Sequence, residues 1–331
     1  MKTLVRPSLG SLASSWDELV DASPLPSPFL RSWWLQSTAG PRPRFILVLD
    51  AGRLVGGLAL EADLRWGVPR LRFMGAGPLC PDHLDLVAAP GREEEVLVAV
   101  ARWLARPGWR VIDLDGVAPG SRLAEALPGR ASSQLTDLAP WSPLPDDPAR
   151  YQPGLTSRFR NTLRRSRARL ERAGARHRVV PAGEHGPALR TLRRLHQQRW
   201  GDASTFLPSF DRFERAAGEG VRRGELVLHE LVTDAGTVAV EAWFEVAGRA
   251  SFYQGGRDVA DPRWRGAGSV LRAAVIERAC RLGFTEVDLL RGDDPYKRDW
   301  APRARPLARL RAAHGLGGRA ALAVRRRSWP A

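Results

Sequence analysis

The chain has 331 residues, more than one hydrophobic core usually serves, so two domains are expected. Its 44% hydrophobic share suffices for packed cores, yet no stretch reaches the apolar length of a membrane span and the first ten residues lack a secretory leader's apolar run, which points to the cytoplasm. The net charge is +15, and neither the two cysteines, Cys80 and Cys280, nor the six histidines show a metal-binding spacing, so no metal is expected.

In chain order, short helices are predicted over 15–22 and 29–37, each after a Ser or Pro start signal. Strands follow at 44–50 (RFILVLD) and 53–61, joined at Ala51-Gly52 as a hairpin, with another at 70–74. Residues 93–105 (EEEVLVAVARWLA) have helical spacing and acids in the first turn, where the helix dipole favours them. A short apolar strand comes next at 110–114. Residues 140–153 hold five prolines and little periodicity, so a linker is placed at 140–154 between units at 1–139 and 155–331.

The second unit opens with a basic helix over 156–173, with Phe159, Leu163 and Leu170 on one side and arginines around the rest. Helices at 188–200 and 210–222 precede strands at 225–233, 237–246 and 250–254. An amphipathic helix at 269–282 carries Cys280 on its apolar side, which reads as a buried free thiol. A strand at 286–290, another at 307–313 and a helix ending at 325–327 complete the chain. The two units repeat each other. FMGAG at 73–77 precedes a helix and then WRVIDLDG at 109–116; FYQGG at 252–256 precedes a helix and then FTEVDLLRG at 284–292. Each reads strand, loop, helix and a strand ending in aspartate, Asp113 or Asp288.

Of 51 basic residues only Lys2 and Lys297 are lysines, and the other 49 are arginines, a usage that suggests a GC-rich coding background. Residues 150–199 hold fourteen arginines against Glu171 and Glu184. That segment either faces an anionic partner such as RNA, a nucleotide sugar or a membrane surface, or is a solvated helical face.

The segment 263–269 (RWRGAGS) lies between a strand and a helix. Its glycines let backbone approach a ligand, the helix start offers unpaired N–H groups to phosphate, and Arg263 and Arg265 add charge-assisted bonds. A plain loop-to-helix turn is the other reading. The matching place in the first unit has Pro78, Pro81 and Pro90, which remove such donors.

Arg263-x-x-Gly266-x-Gly268 resembles the pyrophosphate-binding motif of GNAT acetyltransferases. Asp288-x-x-x-Gly292-x-x-x-Tyr296-Lys297-x-x-Trp300, with Phe159-Arg160-x-x-Leu163-Arg164-Arg165 and Leu195-His196-x-x-Arg199-Trp200, resembles the CelD-like branch of that superfamily, which has the tandem-GNAT architecture of Fem-type aminoacyltransferases. The resemblance covers most of 151–313 and, weakly, the first unit. It implies an α/β (α+β) fold of two tandem units, each a mixed, mostly antiparallel sheet flanked by helices. It also implies transfer of an acyl group from acetyl-CoA or another acyl-CoA to an amine or hydroxyl of a small-molecule or carrier-linked acceptor; relatives suggest envelope or polysaccharide precursors and specialised metabolites. Fem-type relatives use aminoacyl-tRNA as donor, which segment 150–199 would bind as the alternative. A non-catalytic GNAT-like binding protein is a third possibility, against which the intact glycine loop and Lys297 argue.

On this resemblance, Arg263, Arg265, Gly266, Ala267, Gly268 and Ser269 hold the donor's pyrophosphate, and its thioester lies along the strand near Tyr253. Lys297, the lone lysine beyond position 2, has the oxyanion-stabilising role of the Fem-type lysine or is a surface lysine. Asp288, Asp293 or Asp294 accepts the acceptor's proton, or Asp288 only orients its loop. Glu241, within an apolar strand, has a buried partner, works on substrate, or faces water at an edge. Arg160, Arg164, His196, Arg199 and Trp200 are candidates for binding an anionic substrate, with helix packing as the alternative for His196. Tyr296 is a catalytic candidate or, like Trp200 and Trp264, a wall of pocket or core.

Overall fold

Hydrophobic patterning builds the first unit around a sheet. In the computed structural model, which describes residues 1–65 and 67–325, this unit comprises Met1–Asp137 and Pro306–Ala331. Its elements begin with β1 (Lys2–Arg6), α1 (Ala13–Asp21), α2 (Ser32–Thr38), β2 (Pro43–Asp50), β3 (Arg53–Arg65) and β4 (Val68–Phe73). They continue with β5 (Val87–Ala88), α3 (Glu93–Leu104), β6 (Arg110–Val117) and the start of β7 (Ser132–Pro143). Ala51 and Gly52 both take positive φ, 46° and 84°, which suits a two-residue hairpin and pairs β2 with β3 antiparallel. Trp16, Leu19 and Val20 of α1 recur at helical spacing and are buried, as are Trp33, Trp34 and Phe45.

The second unit, Leu138–Arg305, takes the end of β7 and then α4 (Pro148–Tyr151), α5 (Ser157–Arg172), β8 (Arg176–Val179), α6 (His185–Trp200) and α7 (Phe210–Arg222). It continues with β9 (Leu226–Thr233), β10 (Gly236–Val246), β11 (Arg249–Arg257), α8 (Ala267–Arg281), β12 (Glu286–Asp288) and α9 (Pro295–Arg298). The Thr156 side chain caps α5 by accepting the Phe159 N–H. Leu163 and Leu170 of α5 are buried, as are Val270, Leu271 and Ile276 of α8. Finally β13 (Arg303–His314) and α10 (Gly315–Arg325) close the chain.

Both units have the expected class and share one pattern. In the first, β1, β2, β3 and β4 run antiparallel in turn, β4 pairs β6 in parallel, and β6 pairs β13 antiparallel. In the second, β8, β9, β10 and β11 run antiparallel, β11 pairs β12 in parallel, and β12 pairs the end of β7 antiparallel.

Several expectations need correction. The stretch assigned to a linker contains strand and helix, and Pro140 sits where its carbonyl is used, with Leu289 N–H donating to Pro140 O at 2.8 Å. The domain boundaries shift accordingly, falling between Asp137 and Leu138 and again between Arg305 and Pro306. Most of β13 belongs to the first unit, where Arg309 holds Asp113 of β6 at 2.6 Å. Strand β8 was absent from the sequence reading, since its RHRV run has no apolar alternation; it is a short charged strand at the end of the second unit's strand order. Of the predicted C-terminal helix, Arg326 and Arg327 lie outside the described residues.

Candidate active site at the open edge of β11

The parallel pairing of β11 with β12 lasts three residues, from Arg249↔Glu286 to Ser251↔Asp288. Beyond it β11 runs on to Arg257, and its register against β10 slips at Ala242/Trp243, where Tyr253 is the extra residue. A bulge of this kind bends a strand and leaves backbone groups unpaired. Residues 252–255 at this opening line two cavities, of about 450 and 280 Å³, which share the walls Arg199, Phe252, Gly255 and Tyr296.

The larger cavity meets the start of α8. Gly266 takes a left-handed φ of 86° as the N-cap, and its carbonyl accepts the Val270 N–H. The amides of Ala267, Gly268 and Ser269 therefore have no intrahelical partner. No acid occupies the first turn of α8, whereas its counterpart α3 begins with Glu93, Glu94 and Glu95, which answer that helix's own dipole. The Arg169 guanidinium of α5 donates to the carbonyls of Arg263 and Arg265 and pins the loop. A side chain on Gly266 would collide with Ser166 Oγ at 2.9 Å, so α5 packs closely enough to demand glycine.

Arg199, Arg257, Arg265 and Arg272 gather on this cavity, and among the described residues the first three make no ion pair. Burial and then the nearby Arg257 and Arg272 charges lower the Arg199 pKa. Crowded cations of this kind favour an anionic ligand. Arg272 is committed: its guanidinium stacks over Phe252 and donates to Glu241 Oε1 at 2.7 Å. Glu241 Oε2 accepts from Trp243 Nε1 at 2.9 Å. Burial pushes the Glu241 carboxyl up from its ordinary value, while Arg272 opposes that shift. With both oxygens engaged, Glu241 is placed to fix Arg272 and the cavity wall.

The smaller cavity holds Lys297, only 5% exposed, with Nζ donating to Leu290 O at 3.2 Å and Arg291 O at 2.5 Å. Those carbonyls face it because Leu290 adopts φ 55° and its N–H is held by Asp288 Oδ1 at 2.7 Å. Asp294, Tyr296, Trp200, Thr205 and the Tyr253 backbone strand also line this cavity. Burial raises the Tyr296 hydroxyl above its usual value. His196 is buried, with Nδ1 3.2 Å from Gly255 O and Nε2 3.0 Å from Ser204 Oγ. The carbonyl requires a proton on Nδ1, so neutral Nε2 accepts from the Ser204 hydroxyl. Burial lowers the His196 pKa, which keeps the ring neutral near pH 7.

Other sequence candidates lie elsewhere. Asp288 is fully buried outside both cavities and is held by Arg249 at 2.8 Å and Arg305 at 3.3 Å. Its repeat partner Asp113 is bound in the same manner by Arg309 and Arg311; burial pushes that carboxyl up, but the guanidiniums hold it below the usual range. Two aspartates, Asp288 at the end of β12 and Asp113 within β6, which runs on to Val117, thus serve as arginine-bound anchors. Arg263 is exposed and paired with Asp261, Asp293 pairs with Arg298, and Trp264 is buried in the core. Arg160 reaches the Gln152 and Leu155 carbonyls, and Arg164 is exposed on α5; neither lines either of these two cavities. The sequence reading missed Arg257, Arg272 and Ser204. Arg272 alone left a signal, as a charge inside the otherwise apolar run SVLRAAVI.

Residues 157–298 match the family model of the acetyltransferase (GNAT) domain. FemX superposes with a TM-score of 0.68 at 11% identity, over 98% of this chain and 100% of that one. The C-terminal DUF2156 domain of a putative lysylphosphatidylglycerol synthetase from Agrobacterium fabrum gives 0.60 at 13% identity, over 96% and 95% of the two chains. L-PGS from Bacillus licheniformis gives 0.53 at 12% identity, over 81% and 83%. No curated protein matches the chain by sequence. At these identities the likeness is one of fold.

Proposed function

With a GNAT domain over 157–298 and a tandem GNAT fold as the premise, we propose that the chain is an acyltransferase that takes its acyl group from acyl-CoA and passes it to an amine or hydroxyl. One observation carries this reading: the acid-free start of α8 and three arginines without ion pairs among the described residues open into a cavity that shares walls with the cavity holding Lys297. The donor's phosphates would meet the amides of Ala267, Gly268 and Ser269, with Arg257 and Arg265 beside them. Its thioester would lie along 252–255, past the end of the pairing of β11 with β12.

The acceptor then attacks the thioester carbonyl, a C–N or C–O bond forms, and the C–S bond breaks to release the thiolate. Lys297 would stabilise the charge developing on the carbonyl oxygen. The acceptor's proton would pass to Ser204 Oγ as the Ser204 proton passes to His196 Nε2, and leave from there to solvent or the thiolate. The small acceptor itself would enter beside Asp294 and Thr205.

Isothermal titration with CoA tests the donor. Binding that weakens about tenfold in Arg257→Ala, the loss of one charge-assisted contact, is expected; no binding at ~500 µM CoA overturns the assignment. Aminoacyl-tRNA is the second reading, favoured by the outward-facing Arg158, Arg164, Arg165 and Arg172 of α5. Filter binding of tRNA across a salt series separates the two, because phosphate contacts give a steep salt slope.

A further inference from the structure

Beside the start of α3, the first-unit counterpart of α8, lies a cavity of about 540 Å³. It occupies a related place in the repeat but has the opposite charge. Arginines surround the start of α8, whereas Asp85 and Glu93 face this cavity. Leu25, Leu86 and Leu97 give it apolar walls. Its size falls within the range of small-molecule sites.

Asp85 is the group that needs explaining. Its Oδ1 accepts from the Leu86 N–H and the Ser121 hydroxyl, both at 2.8 Å, and among the described residues no cation pairs with it. Arg122, the cation on the same wall, is taken up by Glu94 at 2.7 Å and Glu125 at 2.6 Å. Burial pushes the Asp85 carboxyl up to about 6. A desolvated carboxylate without a counter-charge is costly, and a ligand cation would remove that cost.

We propose that this cavity is a second binding site, for a small organic cation whose ammonium meets Asp85 and whose hydrocarbon body lies against Leu25, Leu86 and Leu97. The reverse polarity of the two cavities keeps their ligands apart: an anionic donor is repelled by Asp85 and Glu93, and an ammonium by the arginines around α8. This inference does not depend on the donor assigned to the second unit.

The test is calorimetric titration of the full chain at pH 8 with hexylammonium, 1-hexanol and hexanoate. Hexylammonium is expected to bind ~10-fold tighter than hexanol, the value of one charge-assisted contact, with hexanoate weakest. Asp85→Asn should bring hexylammonium down to the level of hexanol while leaving hexanol unchanged. Leu25→Trp, which narrows the cavity, should weaken both, and Lys297→Met should change neither. Equal binding of the three probes, an unaltered hexylammonium affinity in Asp85→Asn, sensitivity to Lys297→Met, or no binding at ~10 mM hexylammonium would each overturn the proposal.

Discussion

Replacing Asp85 by Asn isolates the energetic cost of a half-buried carboxylate. The amide keeps an oxygen to accept from Leu86 and Ser121 but cannot ionise. Burial pushes the Asp85 carboxyl up to about 6, from about 3.8 for an aspartate in water. At ~1.4 kcal/mol for each tenfold change in proton affinity, that difference corresponds to about 3 kcal/mol, trimmed to about 2 because the group keeps some solvent contact. The sign follows from the raised value. Asp85 helps the fold only when protonated, so its favourable contribution is complete below ~3.8 and vanishes as pH rises through ~6. Asp85→Asn should therefore be more stable than the parent by about 2 kcal/mol at pH 8, and by less than about 1 kcal/mol at pH 4. Urea unfolding followed by tryptophan fluorescence across pH 4–8 measures the difference, and the buried Trp16, Trp33 and Trp34 report on the first unit. His83, Glu93 and Arg122 share the cavity in both proteins, so the comparison isolates Asp85. A stability difference that does not vary with pH, or a destabilised variant at pH 8, would refute the reasoning.

In the second unit, Arg272→Ala strands the Glu241 carboxylate and should cost about 3–5 kcal/mol in urea unfolding; adding Glu241→Gln should recover part of it, and no recovery would mean the pair is not the source. Lys297→Met should lower kcat about 10²- to 10³-fold with CoA affinity nearly unchanged, whereas a loss confined to CoA binding would assign the residue to donor binding. His196→Asn should remove the acid limb of the kcat/KM profile. In the parent that limb should fall below the ordinary histidine value of 6.5, because burial lowers the His196 pKa; an unchanged limb would point to Asp294 instead.

Elements with a strong period could be read from the residues alone. Helix α7 matches its expected span, and the β2–β3 hairpin follows from Ala51-Gly52. Strand β8 lacked such a signal, and the pairing of β13 with β6 depends on contacts nearly 200 residues apart, such as Arg309 with Asp113, which local pattern cannot encode. At the site, the glycine loop stood out through backbone requirements and Lys297 through its rarity. Arg257 did not, because one arginine among 49 carries no contrast. Ser204 and Asp85 acquire meaning only from what folding places beside them.

The division of the chain between its two units affects its synthesis. The first unit's sheet has β6 as its last parallel strand, and the antiparallel cover for β6 is β13, translated nearly two hundred codons later. While the ribosome is still making the second unit, β6 has an unsatisfied row of backbone donors and acceptors. Folding from the N-terminus therefore cannot finish in order. A nascent chain arrested near residue 300 should be sticky and protease-sensitive in its first unit, and completion should come only when the C-terminal residues emerge.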